Sequence, residues 1–286
     1  MNLDALISFV QIAETGSFSL AAQRLSVTQS TISNRIQALE DDLGCTLFQR
    51  GRGGASLTAE GQKMLTDAQD LISLWNATKR RVSLPEGIDA RFSLGTPTTF
   101  DAGISTRLVI WMRQTRPETA LHIEAGSSAW LLDLVASGSL DAAVLFLPAH
   151  RPGLVIEELY REELVLTAST AMKGDWSENF IDVTWGADYA REFSQAFPAF
   201  PAPKLSVGLG ILGIQYLTAL KGAAWLTRAQ ARGLAEAGLA RIIPDAPVFR
   251  RPVYLALPQK SRQPELVAHA LGELRRLLGA APPDQP

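Results

Sequence analysis

The 286-residue sequence predicts a multidomain α/β protein whose N-terminal unit is all-α with a wing, a winged helix-turn-helix. Three observations carry this. Before residue 59, apolar residues recur at helical spacing in three short stretches, and two extended pieces follow around a glycine-rich tip. From 59 to 84 there is no proline, and glycine occurs only at Gly61. After residue 90, short apolar runs alternate with helical stretches, the mark of α/β layering. The length itself implies more than one folding unit.

In the first unit, Leu3, Leu6, Val10 and Ala13 define a helix that Gly16 stops. Ser19 is placed to cap a second helix, Leu20 to Leu25, and Ser26-Val27-Thr28 makes the turn. Gln29 to Asp42 form a third helix, with Ile32, Ile36 and Leu39 on one stripe and Gly44 as its stop. "TLFQRGRGGASLT" reads as a β-hairpin wing. The next helix places Leu65, Ala68, Ile72, Trp75 and Val82 at three- and four-residue steps, more apolar stripe than a small domain can bury. It is expected to pair with its counterpart in a second subunit, the alternative being to pack on its own chain's other domain. "LPEGIDAR" ends it at a hinge. "RFSLGT", "ALHIEAG", "DAAVLFL", "ELVLTAS", "KLSVGL", "GAAWLT", "LARIIP" and "RPVYLAL" read as strands with mostly parallel pairing, and "GAAPPDQP" as a disordered tail.

Composition narrows the class. A net charge of −2 opposes a globally basic coat for nucleic acid. The single cysteine, Cys45, allows no internal disulfide and reads as a small core residue. His122, His150 and His269 are scattered, so no metal site is expected. The N-terminus lacks a basic region before its apolar run, and no run nears the roughly 20 residues that span a bilayer. A soluble cytoplasmic chain is expected.

"FVQIAETGSFSLAAQRLSVTQSTISNRIQALEDDLGCTLFQR", then "LTAEG", then "LHIEAGSSAWLLDLVASGSLDAAVLF" resemble the LysR-type transcriptional regulators over nearly the whole chain. The resemblance implies a winged helix, a dimerising linker helix and a two-lobed effector domain of the type 2 periplasmic-binding-protein kind. The division it implies is 1–58, 59–88 and 89–286, with lobe I at 89–162 and 248–286 and lobe II at 163–247. The chain has Ser30 where the family often has Pro, and Asn34 where it often has a basic residue. These departures bear on base preference.

Such a protein meets DNA through Gln29, Ser30, Thr31, Ser33, Asn34 and Arg35, because amides suit adenine and arginine suits guanine. Thr28 belongs to the same DNA-contact set, although it fits an N-cap better than a base reader. Phosphate contacts fall to Arg24, Arg50 and Arg52. Residues 1–58 hold four cations (Arg24, Arg35, Arg50, Arg52) against five acids (Asp4, Glu14, Glu40, Asp41, Asp42). One copy should bind weakly, so useful affinity requires a homodimer or homotetramer.

In the α/β region, "GTPTTF", "AGSSAW" and "SVGLG" follow strands and open helices. Thr96, Thr98, Thr99, Ser127, Ser128, Val207 and Gly208 are the candidate effector residues. Hydroxyls and free N–H groups there suit a small, anionic molecule of unknown identity, although capping alone would also explain them. Phe100 and Trp130 either line the pocket or belong to the core. "GLGILG" has the form of a dinucleotide loop, yet the next strand lacks the acidic residue that holds a ribose. No nucleophile elbow, P-loop or catalytic triad is visible. No cofactor is expected. A regulator is favoured over a solute-binding protein, which the helix-turn-helix opposes, and over an oxidoreductase.

Overall fold

Helix α1 (Leu3–Thr15) ends where Gly16 turns left-handed at φ 64°, as its position predicts. Helix α2 (Phe18–Arg24) starts earlier than expected: the cap is Ser17, whose hydroxyl accepts from the Leu20 N–H at 3.3 Å, not Ser19. Phe18 is buried against Phe48, and that contact draws it into the first turn. Thr28 caps α3 (Gln29–Leu43), whose Ile32, Ile36 and Leu39 are buried, and Gly44 stops it at φ 69°. The wing is β1 (Phe48–Gly51) against antiparallel β2 (Gly54–Leu57). It docks through the Ala55 N–H on the Gly16 carbonyl at 2.8 Å. A Cβ on Gly54 would lie 2.4 Å from that carbonyl oxygen, so glycine is required there. Cys45 is half-buried against this core.

The structure is a computed structural model that describes residues 2–51, 54–100, 102–146, 148–208 and 210–279, Arg50 and Ala102 by backbone alone. The tail from residue 280 lies outside the described residues, and Arg52 does too. Among the described residues, no single helix is long and apolar enough to cross a membrane.

Thr58 caps α4 (Ala59–Val82). Its Ala68 and Ile72 are buried in the core of the first three helices, while Trp75 is 48% and Val82 79% exposed. The same helix leans on its own chain further along. Asn76 donates to the Ser137 carbonyl at 2.8 Å, and Arg80 donates to Gly138 and faces Asp141. The packing alternative is therefore realised on one face, and Leu71, Leu74, Trp75 and Val82 are left exposed on an adjoining flank.

The strands and helices that follow are β3 (Ala90–Pro97), α5 (Ala102–Thr115), β4 (Thr119–Gly126), α6 (Ser128–Ala136), β5 (Ala142–Leu145) and β6 (Leu154–Ser169). Then come β7 (Asp182–Val183), α7 (Ala187–Ala196), β8 (Ser206–Val207), α8 (Gly210–Leu220), β9 (Ala223–Thr227), α9 (Arg228–Glu236) and β10 (Ala240–Ile242). β11 (Phe249–Pro258) and α10 (Pro264–Leu278) close the order. One seven-stranded sheet runs β10-β6-β11-β5-β3-β4, with β9 also on β6, and β7 pairs β8 separately.

The expectation of mostly parallel pairing is wrong for this sheet. β3 is parallel to β4 and β5, but every pairing of β6 and β11 is antiparallel. The chain crosses to the second half along β6 and returns along β11, and two strands that go out and come back must oppose one another. The first half of β6, "LVIEELYRE", carries no strand signal in sequence because its acids break the apolar run; Glu157 pairs with Arg275 and Glu158 with Arg161. Separate cores fill the halves. Phe92, Leu94, Leu108 and Val253 lie in one, while Trp225, Phe180 and Leu217 sit in the other under a cage of aromatic rings.

Candidate nucleic-acid interface and effector cleft

The N-terminal half of α3 exposes Gln29, Ser30 and Asn34, with Thr31 and Ser33 half-buried beside them. Burial of Ile32, Ile36 and Leu39 on the opposite stripe forces this presentation. Thr28 accepts the Thr31 N–H at 3.2 Å and shares its hydroxyl with Ser30 and Thr31, so its role is the cap. Arg24 is exposed, with Glu14 at 3.8 Å. Arg50 lies in the wing strand opposite Ala55.

Arg35, expected to read a base, is engaged on α1 in the free chain. Its guanidinium bonds Asp4 at 2.8 Å and Ser8 at 3.4 Å. It ties α3 to α1 there. Residue 35 lies a quarter-turn from residue 34, which puts it on the flank that packs. Gln37, one turn beyond Ser33 and Asn34 on the open face, was missed; it donates to Asp41 at 2.9 Å. The i, i+3, i+4 spacing from Ser33 and Asn34 was the signal that pointed to it.

In the α/β region, Pro97 pairs with Gly126 across parallel β3 and β4, so Thr98 and Ser127 leave the sheet side by side. Ser127 caps α6 by accepting the Trp130 N–H at 3.3 Å, and Ser128 accepts the Phe146 N–H at 2.9 Å. These two hydroxyls do structural work, whereas Thr98 is exposed and Thr99 half-buried. Thr96 is buried inside β3, Val207 is buried in β8, and Gly208 is exposed just before α8. Phe100 belongs to the core, and Trp130 is exposed with its ring over Gly126. The last two glycines of "GLGILG" serve packing: a Cβ on Gly210 would meet Trp185 at 2.6 Å, and one on Gly213 would meet Val183 at 2.5 Å.

A residue that sequence reasoning missed joins the two halves. Arg251 of β11 is 7% exposed and faces Glu162 across the β6–β11 ladder, bonding it through Nε at 3.2 Å. Its guanidinium carbon lies 3.5 Å from the Phe146 ring centre and 4.6 Å from that of Trp185. Phe146 follows β5 in the first half, and Trp185 follows β7 in the second, so one cation is stacked between the halves. Trp185 is held in turn by its N–H on the Trp225 carbonyl at 2.8 Å. Nothing local in "FRRPVYLAL" marks Arg251 as buried.

Comparisons agree with this geometry. The family model "Bacterial regulatory helix-turn-helix protein, lysR family" matches residues 3–62, and "LysR substrate binding domain" matches 85–279. The HTH-type transcriptional regulator HdfR of Salmonella typhimurium is 27% identical, covering 95% of this chain and 97% of its own. Among solved structures, a full-length OxyR variant from Pseudomonas aeruginosa superposes with TM-score 0.58 at 22% identity, covering 100% of this chain and 99% of its own. Full-length LysG from Corynebacterium glutamicum, with bound effector Arg, does so with TM-score 0.55 at 19% identity, covering 99% and 100%. With both halves matched in order, this chain belongs to the LysR family of bacterial DNA-binding transcriptional regulators, a helix-turn-helix unit followed by the family's effector-binding domain.

Proposed function

We propose that this regulator acts as a homodimer or homotetramer in the cytoplasm, without enzymatic activity or cofactor, on an inverted-repeat DNA site. The observation that carries the reading is the open polar face of α3, set opposite a buried apolar stripe. Gln29, Ser30, Asn34 and Gln37 enter a major groove, with Thr31 and Ser33 at its edge, while Arg24, Arg50 and Arg52 meet phosphates. The reading unit spans 1–58, the linker 59–88 and the effector domain 89–286. The unit carries no net positive charge, so two copies joined through the outer face of α4 supply the affinity that one lacks.

The effector is a small anionic molecule bound near Thr98, Thr99 and Gly208, with Ser127 and Ser128 shaping the helix end beneath it. Its binding shifts a population between lobe arrangements that differ in affinity for it. Genomic fragments selected on the purified chain and sequenced should share one inverted repeat. Recovery of unrelated fragments would remove the proposal.

A further inference from the structure

Five cations from three separate segments gather at the junction of the linker helix and the effector domain. Arg80 and Arg81 come from the end of α4, Arg91 from β3, and Lys260 and Arg262 from the loop between β11 and α10. They line a cavity of about 170 Å³, well above the roughly 10–15 Å³ that admits one water. Asp89 and Asp141 are its carboxylates. Asp141 is already committed: it accepts the Ser93 N–H at 2.8 Å and faces Arg80 at 3.8 Å.

Of the five cations only Arg80 has an ion pair among the described residues. Arg91 Nε is buried and has no hydrogen-bond partner there. An orphaned guanidinium N–H is costly to bury, and like charges this close repel unless something negative lies between them. The Arg80 guanidinium is held below its ordinary pKa by burial, with Arg91 and Arg262 adding to the effect against the pull of Asp141.

We propose that this cavity is an anion site, distinct from the interlobe cleft, that takes a phosphate-bearing small molecule. The planar forks of Arg91 and Arg262 match phosphate oxygens in pairs, and a phosphate's second charge answers a surplus that one carboxylate could not neutralise. An occupant would bind α4, β3 and the loop before α10 to one another. It would therefore fix the linker helix on the effector domain at the hinge, adding a second input to the regulator.

The test is calorimetric titration of the full-length chain with pyrophosphate, inorganic phosphate and ribose 5-phosphate, against sodium chloride at matched ionic strength. Saturable binding to at least one of them is expected, and the tighter of the inorganic and sugar-phosphate arms identifies the source. Lys260 and Arg262 are exposed, so Lys260→Gln with Arg262→Gln should fold normally. That double variant should weaken binding about tenfold or more, the loss of charge-assisted hydrogen bonds. Lys204→Gln, at an exposed cation outside both sites, should bind phosphate as the parent does. Absence of saturable binding in every arm overturns the proposal. An unchanged affinity in the double variant, or an equal loss in Lys204→Gln, overturns it as well.

Discussion

Asn34 and Arg35 are neighbours on α3 with opposite assignments: one faces solvent, the other is tied to α1. Asn34→Ala should cost specific binding about 1–3 kcal/mol and relax preference at one base pair, while leaving affinity for random DNA unchanged. Competition titrations on operator and random duplexes measure both. Arg35→Ala should instead lower stability by about 0–1 kcal/mol, since the pair with Asp4 is partly solvated. At the interlobe contact, Arg251→Ala removes a buried cation bonded to Glu162 and stacked on Phe146 and Trp185, and should cost about 3–5 kcal/mol in urea denaturation. A loss under about 1 kcal/mol would show that Arg251 is solvated in solution.

Asp141 carries a pH prediction. Burial is the largest influence and raises its pKa, against the lowering effects of the Ser93 N–H, Arg80 and Arg91. The folded chain therefore keeps this proton where the unfolded chain has lost it. Its contribution to stability falls as pH rises from the ordinary 3.8 through the raised value. Asp141→Asn should flatten that fall, as read from urea midpoints between about pH 4 and neutrality.

Helix α4, through which we propose assembly, has two apolar or contact-making sides. Ala68, Ile72, Asn76 and Arg80 point to the chain's own domains. Leu71, Leu74, Trp75 and Val82 are exposed along an adjoining flank at three-, four- and seven-residue steps, the pattern of a helix seam. Leu71→Glu with Trp75→Glu should keep the helical circular dichroism and reduce the mass seen by light scattering to one subunit. An unchanged mass would place the assembly surface elsewhere. The inner side is tight at one point: Gly138, at φ 65°, would place a Cβ 2.2 Å from the Ser73 hydroxyl oxygen. No larger residue fits there without moving the helix off the effector domain.

Across the whole molecule, the reading unit is fastened to the effector domain of its own chain. Arg151 bonds Glu14 of α1 and Asp133 of α6 together, beside a cavity of about 190 Å³ lined also by Ile7, Val10, Ile72 and Asn76. A contact so polar and so incompletely filled can open, as interfaces between domains of one chain commonly do. Arg151→Ala should leave the melting of each unit nearly unchanged yet speed cleavage after Glu86 in the hinge by a glutamate-specific protease. Equal cleavage rates would mean that the contact adds nothing to the angle between the units.

Local chemistry settled much of this molecule in advance. Gly16 and Gly44 as helix stops, Thr28 as a cap, the buried stripe of α3, the wing and most strands of the α/β region were legible, because each depends on residues within a turn or two of one another. The polar set on α3 was legible for the same reason, apart from Gln37 and the inward turn of Arg35. What tertiary structure alone decided was direction and partnership. The antiparallel crossing of β6 and β11, the Arg251–Glu162 pair 89 residues apart, and the cations gathered from α4, β3 and the loop after β11 depend on where distant segments meet. A residue's periodicity reports which way it faces on its own element, but not which segment lies opposite, and long-range charge pairs are fixed by the second.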